Sequence, residues 1–258
     1  MGVSMETAEV WIDRWERQQQ HYAVAREERF TVIADIVEHV TTDRPRPRPL
    51  LLDLGCGPGS MAARLAVRLP TAEIVAVDMD PLLLELGRTH HANAARFVDA
   101  VVGEAGWTDA LGLDRPLDAV VSTTALHYLS ERTLLRTYRS LFTLLRPGGA
   151  LVNGDHFALD DRRCSDLTAV VGSRRAERSR TRDHEDWRSW WAAAAEDLEL
   201  ADLFAQREKR RAASGNHEGN DNDLPLACHV ELLRAAGFAH ITPVWQYGDS
   251  HVLVALKD

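Results

Sequence analysis

The chain has 258 residues, a formal net charge of −9 at pH 7 and 45% hydrophobic residues. This length and composition support a buried core, so a largely disordered or fibrous protein is excluded. The acidic balance disfavours a nucleic-acid binder, and no apolar run approaches the roughly 20 residues that a membrane span needs. The first residues lack a signal-peptide pattern, and Cys56, Cys164 and Cys228 are widely spaced. These features predict a cytoplasmic protein without a zinc site.

Two amphipathic helices and an extended connector are predicted for residues 1–49. Trp11 and Trp15 share one face of the first helix, and Phe30 and Ile33 share one face of the second. The alternating Arg-Pro sequence that follows cannot continue a helix, so it is expected to be extended.

Apolar strands then alternate with helices, which indicates an α/β fold with a parallel, doubly wound sheet and right-handed crossovers. A polar, glycine-containing run at 214–223 is expected to be mobile. Residues 155–227 interrupt the alternation and are predicted to form a helical cap over one edge of the sheet. The predicted strands lie at 50–54, 74–77, 97–102, 117–122, 150–153, 241–247 and 250–256.

The first strand is followed by a turn that contains Gly55, Gly57 and Gly59. Glycine permits a positive φ and lets a ligand approach the backbone closely. Asp78 ends the next strand, about 20 residues further on, where a carboxylate can accept hydrogen bonds from ribose hydroxyls. A nicotinamide dinucleotide is disfavoured, because Ser60 replaces the third glycine of that fingerprint and Asp53 is negatively charged. A ligand with a cationic tail, such as an amine or a sulfonium, suits Asp53 better.

Four segments of the sequence resemble the class I S-adenosylmethionine-dependent methyltransferases that act on small molecules. They are LLDLGCGPG at 51–59, VDMD at 77–80, LLRPGG at 144–149 and LLRAAGF at 232–238. The resemblance implies one domain over 1–258 with a seven-stranded, mostly parallel sheet that ends in an antiparallel hairpin. It also implies S-adenosylmethionine as the cofactor.

The same resemblance implies roles for individual residues. Asp53 would lie near the amino group of the cofactor, Asp78 would bind the ribose hydroxyls, and Met79 would cover one face of the adenine. Glu104 would approach the adenine amine, with Asp99 as the alternative. The residues expected to hold the cofactor are Asp53, Gly55, Cys56, Gly57, Gly59, Asp78, Met79, Glu104, Ala105 and Ser122.

Two histidines are candidate catalytic bases. His127 follows the fourth predicted strand and His156 follows the fifth, so both should lie at the ligand-binding edge of the sheet. A base is useful when the acceptor is a hydroxyl, a protonated amine or an acidic carbon. The alternative for His127 is a packing role near the start of a helix. No residue spacing indicates a metal site.

Aromatic residues leave two interpretations open. Trp187, Trp190 and Trp191 share one face of a predicted helix, which fits either core packing or a lining for a flat substrate. Tyr22 and Arg26 either meet the cofactor carboxylate or occupy an ordinary surface position.

The sequence therefore predicts S-adenosylmethionine-dependent methyl transfer to a small molecule, through an O, N, C or S acceptor atom. The alternatives are another reaction of this cofactor, such as cyclisation or aminocarboxypropyl transfer, and a non-catalytic cofactor-binding protein. Neither nucleic acid nor a membrane is expected as a partner, and the oligomeric state is left open.

Overall fold

A computed structural model describes residues 2–23, 25–43, 45–214 and 222–258. Strands β1 to β5 pair in parallel in the order 3-2-1-4-5, and β7 lies antiparallel between β5 and β6. The strands are β1 (Leu50–Leu54), β2 (Glu73–Asp78), β3 (Arg96–Asp99), β4 (Leu117–Thr123), β5 (Leu145–His156), β6 (His240–Tyr247) and β7 (Ser250–Leu256). The predicted seven-stranded α/β sheet with a terminal antiparallel hairpin is confirmed.

Helices cover both faces of this sheet and one of its ends. Two of them precede β1, as predicted, and three lie between β5 and the last helix, where a helical cap was expected. The helices are α1 (Met5–Tyr22), α2 (Arg26–Asp43), α3 (Ser60–Arg68), α4 (Pro81–His90), α5 (Trp107–Ala110), α6 (Glu131–Leu144), α7 (Arg162–Ser179), α8 (Trp187–Glu196), α9 (Ala201–Ser214) and α10 (Leu226–Ala236). Most of the run expected to be mobile, residues 215–221, lies outside the described residues.

Two strand boundaries differ from the predictions. The third strand ends at Asp99 and not at 102, because the chain turns away from the sheet and passes through Gly103 with a φ of +86°. The fifth strand begins at Leu145 and not at 150, because Leu145 already pairs with Leu117 of β4.

The central strands are buried on both faces, which explains their uninterrupted apolar sequence. One face packs against α6 and α10 through a cluster that includes Tyr138 and Leu233. The other face packs against α2 and α3 through a cluster that includes Ile33 and Met61. A third cluster joins α1 and α4 to the cap helices α8 and α9.

A buried ion pair ties the elements together at the sheet edge opposite the glycine turn. Nε of Arg146 lies 2.5 Å from Oδ1 of Asp118, and both side chains are almost fully buried. Asp118 also accepts a hydrogen bond from the backbone amide of Leu50, and Arg146 donates to the carbonyl of Val40. Arg146, which begins the RPGG sequence, therefore links β4, β5, β1 and α2.

Candidate functional site

A cleft of about 1300 Å³ lies at the carboxyl ends of β1, β2, β4 and β5. Ligands of open α/β sheets bind at this edge. Gly57 reaches the cleft from the turn after β1, and Asp78 reaches it from the end of β2. His127 follows β4 and His156 ends β5. The structure therefore brings both parts of the predicted site into one cavity.

The glycine turn runs against neighbouring atoms so closely that side chains are excluded. A Cβ at Gly55, which has a φ of +70°, would lie 2.3 Å from the Cβ of Ala125. A Cβ at Gly59, which has a φ of +90°, would lie 2.8 Å from the ring of Phe97. The turn can therefore present its backbone to the cleft before α3 begins at Ser60.

Asp78 lines the cleft and also supports the glycine turn. Its Oδ2 accepts a hydrogen bond from the amide of Gly57 at 2.8 Å, and its Oδ1 accepts one from the amide of Asp80 at 2.9 Å. Burial raises the pKa of Asp78 to about 6, with a further contribution from the charge of Asp80. Each carboxylate oxygen retains acceptor capacity, so hydroxyl donors in the cleft would favour the ionised form.

Asp53 does not face the cleft, in contrast to the expectation that it lies near an amino group. Its side chain is buried, and Oδ2 accepts a hydrogen bond from the amide of Ala62 at 3.0 Å. Burial raises the pKa of Asp53 to about 7. The carboxylate satisfies an amide in the first turn of α3, which otherwise has no partner within its helix.

Three other predicted cofactor residues also lie away from the cleft lining. The hydroxyl of Ser122 is buried and donates to the carbonyl of Leu54 at 2.9 Å. Glu104 and Ala105 are exposed beyond the turn at Gly103. The alternative acid, Asp99, forms a bidentate ion pair with Arg210 of α9.

Cys56 and Met79 line the cleft as expected. Burial raises the pKa of the Cys56 thiol, and the nearby carboxylates of Asp78 and Asp53 raise it further, so this thiol stays protonated. The adenine-sized space beside Met79 is continued by apolar residues, namely Leu83, Ala100, Val101 and Val102.

His127 is paired with a buried carboxylate that the sequence analysis did not single out. Nδ1 of His127 lies 2.8 Å from Oδ1 of Asp155, which is 0% exposed. Burial alone would raise the pKa of Asp155, but the charges and hydrogen bonds of His127 and His156 hold it below its usual range. Asp155 is therefore ionised, and Nδ1 carries the hydrogen that it accepts.

A second histidine–carboxylate pair lies beside the first. Nδ1 of His156 is 3.4 Å from Oδ2 of Asp249, in the turn between β6 and β7. Burial would raise the pKa of Asp249, but the hydrogen bond and charge of His156 lower it overall. Oδ2 of Asp155 and Nε2 of His156 are buried without a hydrogen-bond partner among the described residues.

Polar groups from three helices surround the His127–Asp155 pair. The hydroxyl of Tyr138 in α6 lies 2.9 Å from Nδ1 of His229 in α10, and burial lowers the pKa of His229 to about 4. Arg29 of α2 is fully buried, and burial lowers its pKa to about 10 although Asp155 and Asp249 favour its charge.

Helix α1 and the cap roof the cleft. Trp15 packs over the glycine turn, with Cζ2 only 3.4 Å from where a Cβ of Gly57 would lie. Tyr22 accepts a hydrogen bond from the amide of Trp187, and Arg26 is bound to Glu16, so neither side chain is an unengaged surface group. From α9, Arg207 pairs with Asp80 at 2.7 Å.

The tryptophan face serves in both of the ways that the sequence analysis left open. Trp190 is fully buried and packs edge-on against Trp11 and Trp15. Trp187 and Trp191 belong to the same cluster, and they also line the cleft.

Two further searches concern metals and membranes. Over the part of the chain that the structure describes, no three His, Cys, Asp or Glu residues are placed to hold a metal ion. Within the same residues, no helix combines the length and hydrophobicity required to cross a bilayer.

Comparison with known proteins matches the region around the cleft. A family model described as a methyltransferase domain matches residues 51–149. A trans-aconitate 2-methyltransferase from Methylobacterium radiotolerans is 35% identical over 130 residues, 50% of this chain and 45% of that protein. A carboxy-S-adenosyl-L-methionine synthase from Aeromonas hydrophila is 27% identical over 214 residues, 82% of this chain and 76% of that protein.

The first of these relatives, like several others, is matched over less than half of its own length. Among solved structures, the DszA carbon methyltransferase superposes with a TM-score of 0.57 at 14% identity, over 90% of this chain and 54% of that chain. This likeness shows the fold. With the domain match at 51–149, it identifies the chain as a member of the class I S-adenosylmethionine-dependent methyltransferases.

Proposed function

We propose that the chain transfers a methyl group from S-adenosylmethionine to a small-molecule acceptor. One observation carries the proposal. The same cleft holds the glycine turn and Asp78 at one end and the His127–Asp155 pair at the other. A nucleoside-binding end and a proton-accepting end are therefore available to two reactants in contact.

The residues at the first end fit the cofactor. The buried carboxylate of Asp78 is short of donors, as its raised pKa indicates, and two ribose hydroxyls would supply them. Met79 and the apolar residues beside it offer a surface for adenine. The backbone of Gly55 and Gly57 approaches the space for the methionine portion. In this proposal Asp53 and Ser122 act indirectly, by fixing the backbone of α3 and β1.

S-adenosylmethionine, when bound, supplies a methyl group on a positively charged sulfur, which is already a strong electrophile. The protein needs to align the acceptor and to exclude water. We assign alignment to the strand ends and closure to α1 and to the cap segment 155–227. His127 would take the proton that some acceptors release, with His156 as the alternative base.

Cofactor binding tests the first half of this proposal. Isothermal titration calorimetry with S-adenosylhomocysteine should show binding to the wild-type protein. Asp78→Asn should weaken it about 10- to 100-fold, because hydrogen bonds to a charged acceptor contribute about 1.5–3 kcal/mol. Asp114→Asn, an exposed change outside the cleft, should leave the affinity unchanged. Unchanged affinity in folded Asp78→Asn would contradict the role assigned to Asp78.

A different reaction of the same cofactor is the second candidate, because one relative named above is a synthase that covers most of this chain. Mass spectrometry of the products separates the two. Methyl transfer yields S-adenosylhomocysteine together with an acceptor heavier by one CH₂.

The proposed setting is a cytoplasmic protein that acts without nucleic acid. Three free cysteines, of which Cys164 is exposed, support a reducing compartment.

A further inference from the structure

We infer that the acceptor is a neutral hydroxyl compound with a flat aromatic body, deprotonated by His127 while Asp155 holds the imidazole in place. The inference rests on the proposed function and specifies its acceptor. Asp155 is a positioning residue, because its carboxylate acts through His127 and is buried beneath it.

The first step of the argument is the geometry of the pair. Asp155 belongs to β5, which is hydrogen-bonded to β4 on one side and to β7 on the other. Its Oδ1 receives Nδ1 of His127 at 2.8 Å and the amide of His156 at 2.9 Å. The ring is therefore oriented from a rigid strand. Because Nδ1 already carries a hydrogen, a proton taken from an acceptor would go to Nε2.

The second step is the charge around the pair. The ionised groups nearest the strand ends are the carboxylates of Asp155 and Asp249. The guanidinium of Arg29 lies behind the floor of the cleft, where Nη1 donates to Ser250. The charged and titratable groups that face His127 and Asp155 from the neighbouring elements are Arg29, Tyr128, Tyr138, His156, His229 and Asp249.

An anionic acceptor would meet this acidic floor unfavourably. The arginines at the adenine end are held by acids, Arg207 by Asp80 and Arg210 by Asp99. Arg188 and Arg211 line the cleft from the cap helices α8 and α9 and not from the strand ends. A carboxylate acceptor would therefore be repelled where the chemistry occurs.

The third step is the chemistry that a base serves. A carboxylate is already ionised and releases no proton when it is methylated. A neutral hydroxyl must lose one, and a histidine held by a buried carboxylate can receive it. The lining at this end is aromatic or small, with Tyr128 and Trp187 opposite Ala169 and Gly172 of α7. A flat aromatic body fits such a space.

The reaction balances with the groups present. The hydroxyl oxygen forms a bond to the methyl carbon as the carbon–sulfur bond breaks. The electron pair of that bond remains on sulfur, which becomes a neutral thioether. The hydroxyl proton moves to Nε2 of His127, whose positive charge is balanced by Asp155 and is later lost to water.

Imidazole ¹⁵N NMR tests the positioning role without turnover. In protein saturated with S-adenosylhomocysteine, His127 should populate the tautomer with hydrogen on Nδ1. Asp155→Asn should give a mixture of tautomers, because an amide can accept or donate. An unchanged tautomer would overturn the positioning role. If Asp155→Asn does not fold, the tautomer in the wild-type protein still decides, because hydrogen on Nε2 would overturn the assignment.

Three probes on one ring system test the acceptor class: 2-naphthol, 2-naphthoate and 2-naphthylamine, each supplied with S-adenosylmethionine. We expect methylation of 2-naphthol alone, falling at least 100-fold in His127→Gln. The double variant with Asp155→Asn should be no slower, because the two residues act as a unit. Preferred methylation of the acid or the amine, or of none of the three, would overturn the inference. Failure to bind S-adenosylhomocysteine would instead overturn the proposed function.

Discussion

Glu16 joins three helices above the glycine turn, and its removal should loosen the roof of the cleft. From α1, its carboxylate accepts hydrogen bonds from Arg26 of α2 at 2.5 Å and from Arg64 of α3 at 2.9 Å. It also accepts the hydroxyl of Ser60, at the first position of α3. We predict that Glu16→Gln destabilises the protein at neutral pH by an amount that depends on pH.

The magnitude follows from the pKa of the carboxyl. Burial alone would raise the pKa of Glu16, but Arg26 and Arg64 outweigh it and lower the pKa from 4.5 to about 2. At about 1.4 kcal/mol per pKa unit, ionised Glu16 contributes on the order of 3 kcal/mol. Because the folded-state pKa is depressed, this stabilisation is fully present above pH 4.5 and is lost as the pH falls towards 2.

Urea denaturation of the wild-type protein and Glu16→Gln between pH 7 and pH 2.5 measures this contribution. The stability difference should be about 3 kcal/mol at pH 7 and should shrink steadily below pH 4.5. Asp53 and Asp78 titrate in both proteins, so their opposite pH dependence cancels in the difference. Glu9→Gln, an exposed change on the same helix, should show no such difference. A stability difference that is independent of pH would refute the reasoning.

Two further predictions concern stability. Arg146→Ala should cost about 3–5 kcal/mol in urea denaturation, because it leaves the carboxylate of Asp118 buried without its partner, whereas exposed Arg139→Ala should cost under 1 kcal/mol. A cost for Arg146→Ala below 1 kcal/mol would contradict this account. Gly55→Ala and Gly106→Ala both place a side chain at positive φ, but only the first meets another atom. Gly55→Ala should therefore lower the melting temperature well below that of Gly106→Ala, and equal melting temperatures would show that the clash is relieved.

Residues that follow strands could be placed from the sequence alone. Asp78, His127 and His156 come directly after apolar runs, and parallel strands all deliver their carboxyl ends to the same edge. The glycine turn could be predicted for the same reason, together with its spacing from Asp78. Asp53 was harder to place, because a carboxylate inside an apolar strand faces either a ligand or a helix amide, and the sequence does not distinguish these.

The partners of the two histidines could not be predicted in the same way. Asp155 was within reach, since it directly precedes His156 at a strand end, but the pairing of His127 with it depends on how β4 and β5 align. Asp249 approaches His156 only because β7 returns antiparallel beside β5, across 93 positions of sequence. Such register is determined by packing between distant strands and not by local pattern.

The roof of the cleft also has a consequence for how the chain is made. Trp11 donates to Asp197 across 186 positions, and Arg14 pairs with Glu185 across 171. At about 5–20 residues per second, a ribosome leaves α1 waiting on the order of 10–40 s for these partners. During that interval the tryptophan face of α1 has nothing from the cap to pack against. The first helix to emerge is therefore among the last to dock, and chaperone contact during synthesis would act chiefly on this face.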